Sequence, residues 1–154
     1  MPNVVLELSD TVFTLRGFPK STNEKLVLIL ISRYIEQQAL NGPTGTLRTS
    51  FQQLSRLDDE RGTRRTYNQL GRVEELETHV YGVPDWDPSK ELEVTCHGVE
   101  AEEIEKSWFV VYRSDTAHDV ALVATLVGPN VWKGYWTFDS DEIQAIDRYV
   151  QQAF

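Results

Sequence analysis

The sequence predicts an α/β (α+β) fold: a single mixed β-sheet with an antiparallel C-terminal meander, packed by two to three helices. Three observations predict it. Strand-like runs at residues 108–113, 120–127 and 131–138 are separated only by the turns 114–119 and 128–130, a spacing that suits neighbouring antiparallel strands. Two helical patterns, at 26–40 and 63–70, alternate with strand-like runs in the first half of the chain. A third helix closes the chain, announced by Asp139 as N-cap and by Glu142 three residues on.

In chain order, residues 4–8 and 12–15 read as two short strands around Ser9-Asp10, a hairpin-like start that Pro19 ends. Ser21 to Glu24 has the capping-box pattern and leads into the helix at 26–40. The first turns of that helix are apolar all round, which predicts a buried start, while Arg33, Glu36, Gln37 and Gln38 predict a half-exposed end. The turn cluster 41–45 stops it, and 46–51 has the β-branched, alternating character of a strand. Residues 56–62 are strongly charged and read as a solvated loop or a fraying helix start. The helix at 63–70 ends at Gly71, 77–81 is a strand, and 82–88 is a loop rich in turn formers, too short to separate domains. Strands at 92–96, 108–113, 120–127 and 131–138 follow. In the closing helix Ile143, Ile146 and Val150 form an inner stripe at helical spacing.

Composition narrows the function. At 154 residues the chain has the length of one domain, 1–154, and buries enough surface on folding for a real core. Hydrophobic residues make up 40% and charged residues 25%, ordinary globular usage. The net charge of −9 argues against nucleic-acid binding, which needs clustered Lys and Arg. The same acidity favours solubility, or a halophilic source, in line with ten Arg against five Lys. Cys96 is the single cysteine, so no intrachain disulfide forms, and with no charged-then-apolar leader the reading is a cytoplasmic protein. The longest apolar run, Leu26 to Ile31, has six residues, far short of the roughly 18 needed to span a membrane.

No catalytic constellation survives inspection, and the reading is of a protein that is not an enzyme. Cys96 and His97 adjoin on a strand, where neighbouring side chains leave opposite faces and cannot act on each other. His79, His97 and His118 are scattered singly, without the clustered spacing of a zinc site, and neither a P-loop nor a GxGxxG occurs. The carboxylates Asp58, Asp59 and Glu60 are a solvated charge run.

Aromatics remain. Residues 132–138 hold four of them, with Trp132 and Trp136 on one strand face around Gly134 and Tyr135 on the other. Such a surface is either a core layer or a binding platform. With Trp108 these side chains could stack on a planar ligand, and Arg33, Glu36 and Arg48 could supply polar groups. Trp86, between Asp85 and Asp87 and flanked by Pro84 and Pro88, is either an exposed contact point or an indole folded back over the sheet edge. Candidate ligand or partner-binding residues are therefore Trp86, Trp108, Trp132, Tyr135, Trp136, Arg33 and Arg48, with no catalytic or metal site.

Ser107-Trp108-Phe109-Val110-Val111, Ala121-Leu122-Val123-Ala124 and Tyr135-Trp136-Thr137-Phe138-Asp139, in that order, resemble the closing half of the DICT domain. Ile31-Ser32-Arg33-Tyr34-Ile35-Glu36 and Ser50-Phe51-Gln52 resemble its front half less specifically. DICT is a sensory domain associated with diguanylate cyclases and two-component systems and, by proposal, with light responses. The resemblance implies a non-catalytic signal-sensing module. It relays a signal, light-related or carried by a small molecule, to a signalling partner such as a kinase, cyclase or regulator. With no room for such an output after Phe154, the chain acts through a partner or is part of a longer protein. The rival reading is a protein-interaction or dimerisation module with no small ligand, for which a homodimer is one assembly. No cofactor is specified.

Overall fold

The computed structural model describes residues 13–16, 23–42, 44–58, 62–87, 92–114, 118–129 and 131–154, with the side chains described from Val27 onward. The elements are β1 (Phe13–Arg16), α1 (Asn23–Asn41), β2 (Gly45–Gln53), a 3-10 turn (Leu54–Asp58), α2 (Thr63–Gly71), β3 (Leu76–Val83) and β4 (Thr95–Gly98). A second 3-10 turn (Glu102–Lys106), β5 (Ser107–Arg113), β6 (Val120–Gly128), β7 (Val131–Thr137) and α3 (Ser140–Ala153) complete the chain.

Among the described residues the seven strands share one sheet, ordered β1-β7-β6-β5-β2-β3-β4. β5, β6 and β7 form the expected antiparallel meander, and β1 adds to β7 antiparallel. The other half is mixed. β2 runs antiparallel to β5 but parallel to β3, and β3 is parallel to β4. The parallel step from β2 to β3 is the one that α2 bridges, because two parallel strands cannot be joined by a tight turn.

Strand alternation divides the side chains between two cores. On one face Leu47, Val80, Val110, Leu122, Trp132 and Trp136 pack with Ile31 and Ile35 of α1 and with Tyr67 and Leu70 of α2. On the other, Tyr81, Phe109, Val111 and Ala121 pack with Ile143 and Val150 of α3. Each large aliphatic residue so buried contributes about 1.5–3 kcal/mol. Gly134, between the two indoles, is required by close approach: a Cβ there would lie 2.2 Å from the Val123 carbonyl oxygen.

The structure corrects several expectations. The strand expected at 92–96 is β4 at Thr95–Gly98, and Leu92 and Val94 are instead buried ahead of it. Of the two readings of the charged stretch, its described start is helical and not loop: the 3-10 turn Leu54–Asp58, whose Leu54 and Leu57 are buried, while 59–61 lie outside the described residues. The turn at Glu102–Lys106 had no counterpart in the expected elements. The strand at 4–8 and Ser21 of the capping box also lie outside the described residues, and β1, in place of the strand expected at 12–15, pairs with β7. The start of α1 is not buried all round: Val27 is 40% and Leu30 67% exposed, because only the face bearing Leu28, Ile31 and Ile35 meets the sheet.

At α3 the expected capping residues are used differently. Asp139 accepts from the Asp141 and Glu142 amides. Glu142 does not return to the Asp139 amide. It accepts from the Thr137 hydroxyl at 3.1 Å, and that hydroxyl accepts from Asp139 N–H at 3.1 Å, so the last residue of β7 stands inside the cap.

Candidate functional site

Helical spacing places Ile29, Ser32, Arg33 and Glu36 on one side of α1, over the centre of the sheet. Against them lie Thr49 and Phe51 of β2, Trp108 and Val110 of β5, Arg56 of the first 3-10 turn and Thr63 at the start of α2. The groups enclose a cleft of about 130 Å3 with apolar walls and a polar floor.

The floor is held by a chain of hydrogen bonds. Trp108 Nε1–H donates to Ser32 Oγ at 3.0 Å, and Ser32 donates to the Leu28 carbonyl at 2.7 Å. Arg33 spans the mouth, with Nη1 3.0 Å from Glu36 Oε1 and Nη2 2.8 Å from Thr63 Oγ1. Glu36 is only 3% exposed. Burial pushes its carboxyl above the ordinary value, held back in part by the Tyr67 hydroxyl and the Arg33 guanidinium. Tyr67 lies 2.8 Å from Thr49 Oγ1, and burial with the neighbouring Glu36 raises its phenol well above the usual range. The Trp108 ring stands edge-on to Trp132, centroids 5.7 Å apart at 90°.

A second polar assembly occupies the opposite face of β2. Arg48 Nε reaches Asp147 Oδ1 of α3 at 2.6 Å, and Arg48 Nη1 donates to the Tyr81 hydroxyl at 2.7 Å. Arg113 of β5 takes Asp147 Oδ2 at 2.8 Å, and Gln151 donates to the same oxygen at 2.8 Å. Burial opposes ionisation of Asp147, but hydrogen bonds from Arg113 and Arg48 outweigh it and hold the carboxyl below its ordinary value. Next to Tyr81, His79 and His97 hydrogen-bond ring to ring at 2.9 Å.

The structure brings Arg33 and Trp108 together in the cleft and disperses the other candidates. Trp132 and Trp136, 3% and 5% exposed, are core residues behind Trp108. Tyr135 faces the opposite side, in an open groove along α3 with Phe109, Val123 and Tyr149. Arg48 is under α3. Trp86 is half-buried against the core beside Cys96, and Asp85 in the same loop accepts from the Ser55 amide and hydroxyl at 2.9 and 2.6 Å. Cys96 and His97 do leave opposite faces, one on the α1 side and the other stacked on Tyr81.

Sequence reasoning missed the buried partners. His79 and His97, single in the sequence, meet through the parallel pairing of β3 with β4. Asp147 carried a readable signal, a charge set within the inner stripe of Ile143, Ile146 and Val150. Among the described residues no group of three or more metal-ligating side chains occurs, and no helix is long and apolar enough to cross a membrane.

The two faces of the mixed sheet thus each carry a polar assembly, and the one under α1 opens as a cleft. The chain belongs to the DICT family, described as a sensory domain in diguanylate cyclases and two-component systems, whose model matches residues 3–125. The match takes in 31–36, 50–52, 107–111 and 121–124, and ends before the aromatic run 135–139. No curated protein matches the chain. Among solved structures, the crystal structure of polyphosphate kinase from Porphyromonas gingivalis is similar at a TM-score of 0.46 and 11% identity, over 91% of this chain and 22% of that one. The chain thus spans about a fifth of the length of that kinase.

Proposed function

We propose that the chain, residues 1–154 acting as one unit, is a non-catalytic cytoplasmic sensing domain. A small molecule enters the cleft between α1, β2 and β5, and the signal passes to a kinase, cyclase or regulator through α3. The observation that carries this reading is the double use of β2 and β5. Thr49, Trp108 and Val110 face the cleft, while Arg48, Phe109, Val111 and Arg113 on the same strands hold α3. A shift of either strand is therefore felt on both faces. Binding moves α3 only to the extent that the ligand prefers one packing over the other. Arg33, Glu36 and Trp108 are the recognition residues in this reading, with Trp108 placed to contact the apolar part of a ligand. A light-driven stimulus would need a chromophore, and the same cleft is where it would sit.

The test is an absorption spectrum of freshly purified protein, joined to mass spectrometry of what denaturation releases. A released compound should raise the melting temperature of the emptied protein by mass action, and Trp108→Ala should lose that shift. A shift retained in a folded Trp108→Ala variant sinks the cleft reading.

A protein-interaction or dimerisation module is the second reading, favoured by Val27 and Leu30 on the outward side of α1. It requires concentration-dependent assembly, which sedimentation of the wild type and of Leu30→Lys would measure.

A further inference from the structure

β4 is a four-residue edge strand, and its hold on β3 combines the ladder from His79–Thr95 to Gly82–Gly98 with one aromatic stack. In that stack His97 lies flat on Tyr81, centroids 4.4 Å apart at 8°, and against His79, centroids 5.2 Å apart at 28°. His79 Nδ1 and His97 Nε2 are 2.9 Å apart. Two ring nitrogens at that distance share one hydrogen: one donates and the other must offer a lone pair.

The surroundings choose which. His79 Nε2 is buried without a hydrogen-bond partner, and the Glu77 carboxylate lies 3.7 Å from it. A lone pair facing a carboxylate is repelled, whereas an N–H is attracted. His79 therefore carries its hydrogen on Nε2, and His97 Nε2–H donates to His79 Nδ1. One added proton can still be held, with His79 Nδ1–H donating to His97 Nε2 once the His97 hydrogen has moved to Nδ1; a second sets an N–H on both facing nitrogens and breaks the contact.

We propose that the His79–His97 pair is a proton-operated clasp that holds edge strand β4 to the sheet near neutral pH and releases it on acidification. The groups facing the pair are known from each neighbouring element. Glu77 on β3 and Asp147 on α3 favour a proton on His79; Arg48 on β2 opposes one on either ring; Tyr81 on β3 is the stacking partner. The second 3-10 turn points Ile104 inward and keeps its Glu and Lys residues exposed. Burial and the nearby Arg48 hold both imidazoles below the ordinary histidine value, with His79 adding to the effect on His97. The unfolded or released segment consequently binds more protons than the clasped one, and the clasp weakens as pH falls below the ordinary histidine range.

Release has a local consequence. Cys96 and Gly98 of β4 line the sheet-edge pocket with Pro84 and Trp86, so loss of the clasp uncovers the Cys96 thiol and frees one wall of that pocket. Tyr81, no longer covered by His97, is the residue through which Arg48 and then Asp147 would register the change.

The test is amide hydrogen exchange of residues 95–98 from about pH 8 to about pH 5, expressed as protection factors corrected for intrinsic rates. Protection should fall by up to about tenfold per pH unit for each titrating histidine as pH drops from the ordinary histidine value toward the pair's lowered one, and level off below it. His97→Phe keeps a ring over Tyr81 and removes one of the two titrating imidazoles, so its profile should be clearly shallower than that of the wild type. Glu77→Gln removes the carboxylate that favours a proton on His79 and should move the fall to lower pH. A His97→Phe profile that tracks wild type, or a Glu77→Gln midpoint that does not move, overturns the clasp. Should His97→Phe fail to fold, Glu77→Gln decides alone, since Glu77 is 77% exposed and carries no core contact.

Discussion

Arg48 of β2 and Asp147 of α3, ninety-nine residues apart, meet at 2.6 Å with 10% and 2% of their side chains exposed. Together with Arg113 they tie the closing helix to the two central strands. The pair combines a charge-assisted bond with loss of hydration, so the bridge is worth less than the cost of breaking it from one side.

Asp147→Ala leaves Arg48 buried without its carboxylate and should destabilise the fold by about 3–5 kcal/mol in denaturant titrations. Replacing both partners with apolar residues, Arg48→Met with Asp147→Leu, should recover most of that loss. The Asp147 carboxyl is held low in the fold, so its contribution is present above the ordinary carboxylate value and disappears as pH falls through the lowered one. The acid limb of the wild-type stability curve should be correspondingly shallower in the double variant.

Glu36 has the opposite sign. Its carboxyl is raised by burial, so the fold binds its proton more tightly than the unfolded chain, and stability is lost as pH rises from the ordinary value through the raised one. Glu36→Gln keeps the shape and should remove that loss, leaving a melting temperature less dependent on pH across this range. Glu36→Ala, which abandons Tyr67 and Arg33, should cost about 1–3 kcal/mol.

Gly134→Ala and Gly62→Ala separate space from backbone strain. At Gly134 a Cβ lies 2.2 Å from one backbone oxygen and 2.7 Å from Ala124 Cβ, so β6 and β7 must part; about 1–3 kcal/mol should be lost. Gly62 has φ 84 and open space around it, and Ala there should cost only the left-handed strain of about 1–2 kcal/mol. Only the first should alter the exchange of the β6–β7 amides.

Trp136→Ala should lose about 3–5 kcal/mol, since the indole is 5% exposed within the core. Trp86→Ala, from a half-buried loop residue, should lose clearly less in the same thermal melts. Equal losses would contradict this division of the four tryptophans.

The antiparallel meander, α2 and the N-cap of α3 were legible because each depends on residues near in sequence: turn spacing, a short helical pattern, Asp139 ahead of an apolar stripe. Gly71, expected to stop α2, is instead its last residue, with Arg72 as the C-cap. Trp132 and Trp136 could be put on one face from strand alternation alone. The same alternation could not tell whether that face was covered, and the structure covers it with α1. Arg33 and Trp108 were named as candidates, yet nothing in their spacing shows that they share a cleft, because a helix residue and a strand residue 75 positions apart meet only when the helix is laid across the sheet.

By itself, then, the sequence determined an α+β fold, the order of its last strands, the absence of familiar catalytic and phosphate-binding motifs, and the resemblance to a sensory family. Those features reside in local patterns of size, charge and backbone preference. Tertiary structure alone decided which strands pair in the mixed half of the sheet, the Arg33–Glu36–Trp108 cleft, the Arg48–Asp147–Arg113 tie and the His79–His97 contact. Each of these depends on which strands become neighbours, and that is fixed by burial summed over the whole core, which no short stretch of sequence encodes.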